Sequence, residues 1–75
     1  MKIYVFIHHD RHADDEIHVY AQKERAIEEA KKRAREFDRF DELVEIEQLH
    51  FGIMYRGTYS CEGDHIRVEE KELIS

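Results

Sequence analysis

The chain has no proline, only three glycines and one cysteine in 75 residues. Without proline, its turns must come from Gly52, Gly57, Gly63 and the Asp-rich stretches. A lone cysteine excludes an internal disulfide framework and fits a reducing compartment. No stretch approaches the roughly 18 consecutive apolar residues of a membrane span. The apolar run at residues 3–7 is too short for a signal-peptide core and is followed by no small-residue cleavage site. The expected location is therefore the cytoplasm, with no membrane contact. The metal-protease helix motif, paired C-x-x-C, Gly-rich phosphate loop, dinucleotide fingerprint, nucleophile elbow and calcium loop are all missing. With none of these motifs, and little room for a cleft, the expectation is that the protein is not an enzyme and carries no cofactor.

Positive charge is also in short supply. Twelve Lys and Arg stand against 18 Asp and Glu, a formal charge of −6. So acidic a chain is a poor match to a nucleic-acid backbone. Hydrophobic residues make up 41% and charged residues 40%, too apolar for a disordered tail and too charged for a membrane protein. The length suits one domain, residues 1–75, with a thin core, because folding at this size buries only roughly 60% of the unfolded surface.

Residues 2–8 are β-branched and aromatic, as a strand requires, with Ile3, Val5 and Ile7 on one side and Tyr4, Phe6 and His8 on the other. After an acidic turn, residues 16–21 read as a second strand forming a hairpin with the first. Residues 22–37 carry Ala26, Ile27, Ala30, Ala34 and Phe37 at helical spacing. The small stripe lets a helix approach a sheet closely, and Glu28→Lys32 and Glu29→Arg33 are well-oriented pairs on its outer surface. Residues 38–50 fit a short helix and a strand equally well. Residues 51–60 read as a strand, and residues 65–73 as a last strand whose charged end, Glu69-Glu70-Lys71-Glu72, suits a sheet edge. The sum is an α+β domain of order ββαββ, with one helix packed on one face of a small antiparallel sheet.

One helix covers only one face. The other is expected to show Tyr4, Phe6, His18 and Tyr20, joined by Tyr55 and by Tyr59 or Met54, and an exposed patch of that kind marks an interaction site. The candidate partner-binding residues are therefore Tyr4, Phe6, His18, Tyr20 and Tyr55, with Asp14, Asp15 and Glu16 as an acidic rim steering toward a basic protein surface. Burial of that face by a second copy predicts a homodimer. The same rings resemble a base-stacking platform, with Arg11, Arg56 and Arg67 nearby, but the negative charge opposes direct nucleic-acid binding.

Histidine is abundant. His8, His9, His12 and His18 gather at the first hairpin among Asp10, Asp14 and Asp15, and imidazole with carboxylate is the ligand chemistry of zinc or nickel. The alternative function is a metal-binding protein using His8, His12 and His18, with His9 or Asp10 as a fourth ligand. With His50 and His65 there are six histidines, whose protonation would bring the formal charge to about zero. Cys61 and His65 form a C-x3-H pair, the raw material of a thiol nucleophile and its base.

The strand–acidic turn–strand–helix opening, with Tyr20-Ala21-Gln22-Lys23-Glu24-Arg25-Ala26 at its joint, is similar to the opening of HicB-type antitoxins. This chain lacks their glycine-rich turn and their Pro-Gly-Cys-like segment, so no role is carried over. In length, acidity and lack of catalytic motifs it resembles small phage-encoded inhibitors of bacterial defence, such as anti-CRISPR proteins. That resemblance implies an inhibitor that occupies a host protein's surface, and it assigns no residue.

Overall fold

A computed structural model describes residues 1–47, 52–60 and 62–74. Its elements are β1 (Lys2–His9), β2 (Glu16–Tyr20), α1 (Lys23–Phe37), β3 (Val44–Glu47), β4 (Ile53–Thr58) and β5 (His65–Glu72). The strands form one antiparallel sheet in the order β2-β1-β5-β4-β3, and α1 packs across one face. The architecture is thus the α+β arrangement expected, one helix on one side of an open antiparallel sheet.

Three features resolve or depart from the expectation. The ambiguous segment supplies a strand: Asp38 accepts a bond from the Glu42 N–H, Asp41 takes a left-handed φ of 53°, and Val44-Glu45-Ile46-Glu47 then runs extended along β4. The left-handed residue interrupts any helix there. Phe51, Leu49, His50 and Cys61, on which parts of the sequence argument rested, lie outside the described residues.

The charged last strand is not an edge. β5 runs through the centre of the sheet, between β1 and β4. Its charges are tolerated there because each finds a partner beside it: Lys2 pairs with Glu70 at 2.6 Å, the N-terminus with Glu72 at 2.9 Å, and Glu69 with both Arg67 and Lys71. The true edges are β2 and β3.

The third departure concerns the faces. Ala26, Ala30 and Ala34 are fully buried, and the residues that meet them are Phe6, Tyr55, Ile66 and Val68. The aromatic side of the sheet is therefore the covered side. The reason is volume: a stripe of alanines leaves space that only large side chains from the sheet can fill to interior density. Gly57 marks the closest approach, since a Cβ there would stand 3.0 Å from the Ala34 Cβ and 2.5 Å from the Tyr55 hydroxyl. The helix's cations reach down to the edge strands instead of pairing along its own surface. Arg33 meets Glu16 on β2 at 2.8 Å, while Lys31 and Arg35 meet Glu47 and Glu45 on β3.

Candidate functional site

The register places every candidate residue on one face or the other. On the helix side, Tyr4, Phe6 and His8 of β1 lie beside Tyr20, His18 and Glu16 of β2. Phe6 is 2% exposed and Tyr55 fully buried, so neither presents itself to a partner. Tyr4 and Tyr20 are half-buried against the core, and the His18 ring lies 5.5 Å from that of Phe6. The aromatic set proposed for binding is therefore mostly the core. Of the acidic rim, Glu16 is held by Arg33 and His18 and Asp15 by His9, while Asp14 is exposed in the turn.

Strand alternation also separates the histidines. His8 is buried on the helix side, and His9, its neighbour, lies on the opposite face beside His65, with ring centroids 5.4 Å apart. His12 is exposed in the β1–β2 turn, and His18 is bonded to Glu16 at 2.9 Å. Among the described residues no three His, Cys, Asp or Glu side chains stand together as a metal's ligands must. Of the histidine cluster of the sequence, His8 and His18 share the helix side, while His9 lies on the opposite face and His12 in the turn. His65, the base suggested for Cys61, is committed elsewhere: its Nδ1 donates to the Gly63 carbonyl at 2.8 Å, and its Nε2 accepts from Arg67 at 2.9 Å.

His8 belongs to a chain of polar groups running from the core to the surface. Tyr59 donates to Asp10 at 2.7 Å; its oxygen accepts from His8 Nε2 at 3.0 Å; and His8 Nδ1 accepts from Arg33 at 3.3 Å. The Phe37 ring closes edge-on against the imidazole at 4.6 Å. Burial, reinforced by Arg33, pushes the His8 pKa below the usual imidazole value, so the ring is neutral and its tautomer fixed by its neighbours. The bonds from Tyr59 and the His12 backbone hold the Asp10 carboxyl below its ordinary range. Asp10 and Tyr59 line an open cleft of about 660 Å³, together with Phe37 and the exposed Phe40. Its polar groups are largely bonded to one another, as Asp64 is to the Arg11 N–H and Glu62 to the Arg11 side chain.

The uncovered face is aliphatic at one end and cationic at its centre. Val5 lies beside Val19 and Ile7 beside Ile17. Ile17 and Val19 are 58% and 60% exposed. The row through Ile7 crosses the whole sheet: Ile17 of β2, Ile7 of β1, Arg67 of β5, Arg56 of β4 and Ile46 of β3 are successive cross-strand partners. Two arginines stand directly opposite each other in the middle of that row, an arrangement that costs stability unless something compensates it. Arg67 is held by Glu69 through Nε at 2.6 Å and by His65 through Nη1. Arg56 is exposed and makes no ion pair among the described residues. Burial, with Arg56, Arg67 and His9 nearby, lowers the His65 pKa despite its bond to Gly63.

Alternation names the strand residues of both faces, but this surface is not the one that the larger side chains suggested as exposed. The signal that identifies it is the alanine stripe of α1, which demands bulk from the sheet. Compared with protein families, curated proteins and solved structures, the chain matches none.

Proposed function

We propose that the protein is a non-enzymatic protein-interaction module that associates through the β2 edge and the aliphatic patch beside it, its occupant a second copy of the chain. The observation that carries this is the exposure of Ile17 and Val19 on an outermost strand. The other edge is blunted: β3 has four residues, two of them glutamates tied to α1. β2 has neither lysine nor proline to discourage pairing. Antiparallel pairing of two β2 strands about a two-fold axis at His18 sets Ile17 against the partner's Val19, and Val5 and Ile7 extend the apolar strip on both sides. The same register carries the acidic turn, Asp14 and Asp15, alongside the partner's Gln22 and Ala21. A chain this short gains proportionately from the added burial.

Sedimentation velocity over a wide concentration series tests this without a known partner. The wild-type chain is expected to dimerise, and Val19→Lys, which changes a side chain already exposed, is expected to remain folded and monomeric. A wild-type chain that stays monomeric throughout overturns the proposal.

A further inference from the structure

The arginine pair points to a ligand of its own. We infer that Arg56 and Arg67 are the receptor for a single carboxylate side chain of an acidic, otherwise apolar peptide segment laid across the open face. This rests on that face being an interaction surface, though not on the second copy that pairs at its edge.

Both arginines project from adjacent central strands on the same side, with Cβ atoms separated by about 5 Å as cross-strand partners are. In a chain of net charge −6, none of the surplus carboxylates pairs with Arg56 among the described residues. Arg67 is fixed in place by Glu69 and His65, which engage Nε and Nη1 and leave Nη2 for an incoming acceptor. A rigid guanidinium beside an uncommitted one is a fork for a carboxylate, whose two oxygens accept paired N–H bonds, and the incoming charge relieves the repulsion between the arginines.

The flanks state what else the ligand carries. Ile46, 45% exposed, and Ile7, 9% exposed between its strand neighbours, lie on either side of the arginines in the same row, so the Ile46 side is the open apolar contact and the Ile7 side a shallow one. With strands spaced about 4.8 Å apart, each isoleucine is about 7 Å from the midpoint of the pair. In an extended peptide, residues two apart point the same way and are separated by about 6.6 Å. A peptide crossing the strands with Asp or Glu over the arginines therefore places its side chains two before and two after over Ile7 and Ile46. The recognised pattern is apolar–x–acidic–x–apolar, and Ile17 extends it at one end. Nucleic acid fits less well. Its bases need rings to stack on, and Tyr55 and Phe6, the rings of the neighbouring strands, are under the helix.

The probe is a capped heptapeptide with leucine two places either side of a central glutamate and serine elsewhere, titrated into the full chain and followed by backbone amide NMR. Saturable shifts are expected along Ile7, Arg67, Arg56 and Ile46. The same peptide with glutamine at the centre is expected to bind at least about 10-fold more weakly, the factor of one lost charge-assisted pair. Arg56→Gln, an exposed change, is expected to abolish the preference for glutamate over glutamine while leaving the fold intact. Equal binding of both peptides, no saturable shift with either, or tighter binding of an oligothymidine would each overturn the inference. A dimer that fails to bind the peptide rejects this inference alone. A monomer that binds it rejects only the self-pairing.

Discussion

The two faces of the sheet are built from the same five strands yet differ in almost every respect. The covered face holds rings and branched side chains against three alanines, and its one buried histidine is bonded on both nitrogens. The open face holds smaller aliphatic side chains toward β2 and a central band of charge. The contrast teaches that a helix chooses its sheet face by volume, not by hydrophobicity alone. An alanine stripe and a glycine at the crossing bring the backbone of α1 close, and only Phe6, Tyr55 and Tyr59 are large enough to close the remaining space. The aliphatic side, which looks like the better core in isolation, is the one that α1 leaves uncovered.

That comparison predicts very unequal costs for similar truncations. Phe6→Ala empties a fully enclosed site and is expected to cost about 3–5 kcal/mol. Against a total stability of roughly 4–11 kcal/mol for a chain of this length, that leaves little folded protein. Ile17→Ala on the open face is expected to change urea-denaturation stability of the monomer by less than about 1 kcal/mol. Comparable losses at the two positions would show that the faces have been assigned the wrong way round.

Gly57→Ala probes the closest approach of helix and sheet. The added methyl would meet the Tyr55 hydroxyl at 2.5 Å and the Ala34 Cβ at 3.0 Å, and overpacking of this kind costs about 1–3 kcal/mol. Because the nearest atom is the hydroxyl, combining the change with Tyr55→Phe is expected to recover part of the loss. Strict additivity of the two changes in thermal unfolding would mean that the crossing is looser than the contacts indicate.

The two core tyrosines sharpen the same point on a smaller scale. The Tyr55 hydroxyl is buried and has no hydrogen-bond partner among the described residues, whereas that of Tyr59 donates to Asp10 and accepts from His8. Tyr55→Phe is therefore expected to be neutral or to stabilise by up to about 1 kcal/mol, and Tyr59→Phe to destabilise by about 1–2 kcal/mol. Equilibrium denaturation of the two single variants decides it, and a reversed order would contradict the bonding described for both groups.

Much of the fold was legible in the residues themselves. Alternation placed β1, β2 and β5, the alanine period placed α1, and the one-helix, one-sheet architecture followed from counting them. What was not legible is what depends on pairing at a distance. Glu70 and Glu72 read as edge residues because their partners, Lys2 and the N-terminus, come beside them only once β5 is threaded next to β1, whereas Glu69 is paired within its own strand. His8 and His9 read as one cluster because sequence proximity hides a strand's two-sidedness. The opposition of Arg56 and Arg67 follows only once β4 and β5 are known to pair with Thr58 opposite His65, a register that the six-residue connection between them does not dictate.

Each face also carries one histidine whose pKa is lowered, and this gives the smallest and most discriminating test. His8 is depressed by burial and by Arg33 of α1, only partly offset by Asp10, Glu16 and Asp64; His65 is depressed by burial and by Arg56, Arg67 and His9, against the Gly63 carbonyl. A histidine whose folded pKa lies below its unfolded value binds its proton more readily when the chain is unfolded. Stability is therefore complete above the unfolded value of about 6.5 and declines as pH falls from there toward the folded pKa. Asp10, Glu16 and Glu69 are lowered as well, each by hydrogen-bonding partners, and they add a second decline once pH drops through the carboxylate range. Urea denaturation at neutral and mildly acidic pH is expected to show the first decline in the wild-type chain. It should be shallower in His8→Gln and again in His65→Gln. Loss of the slope in the first variant alone would place the acid sensitivity wholly beneath the helix, and loss in the second alone would place it on the open face beside the arginines.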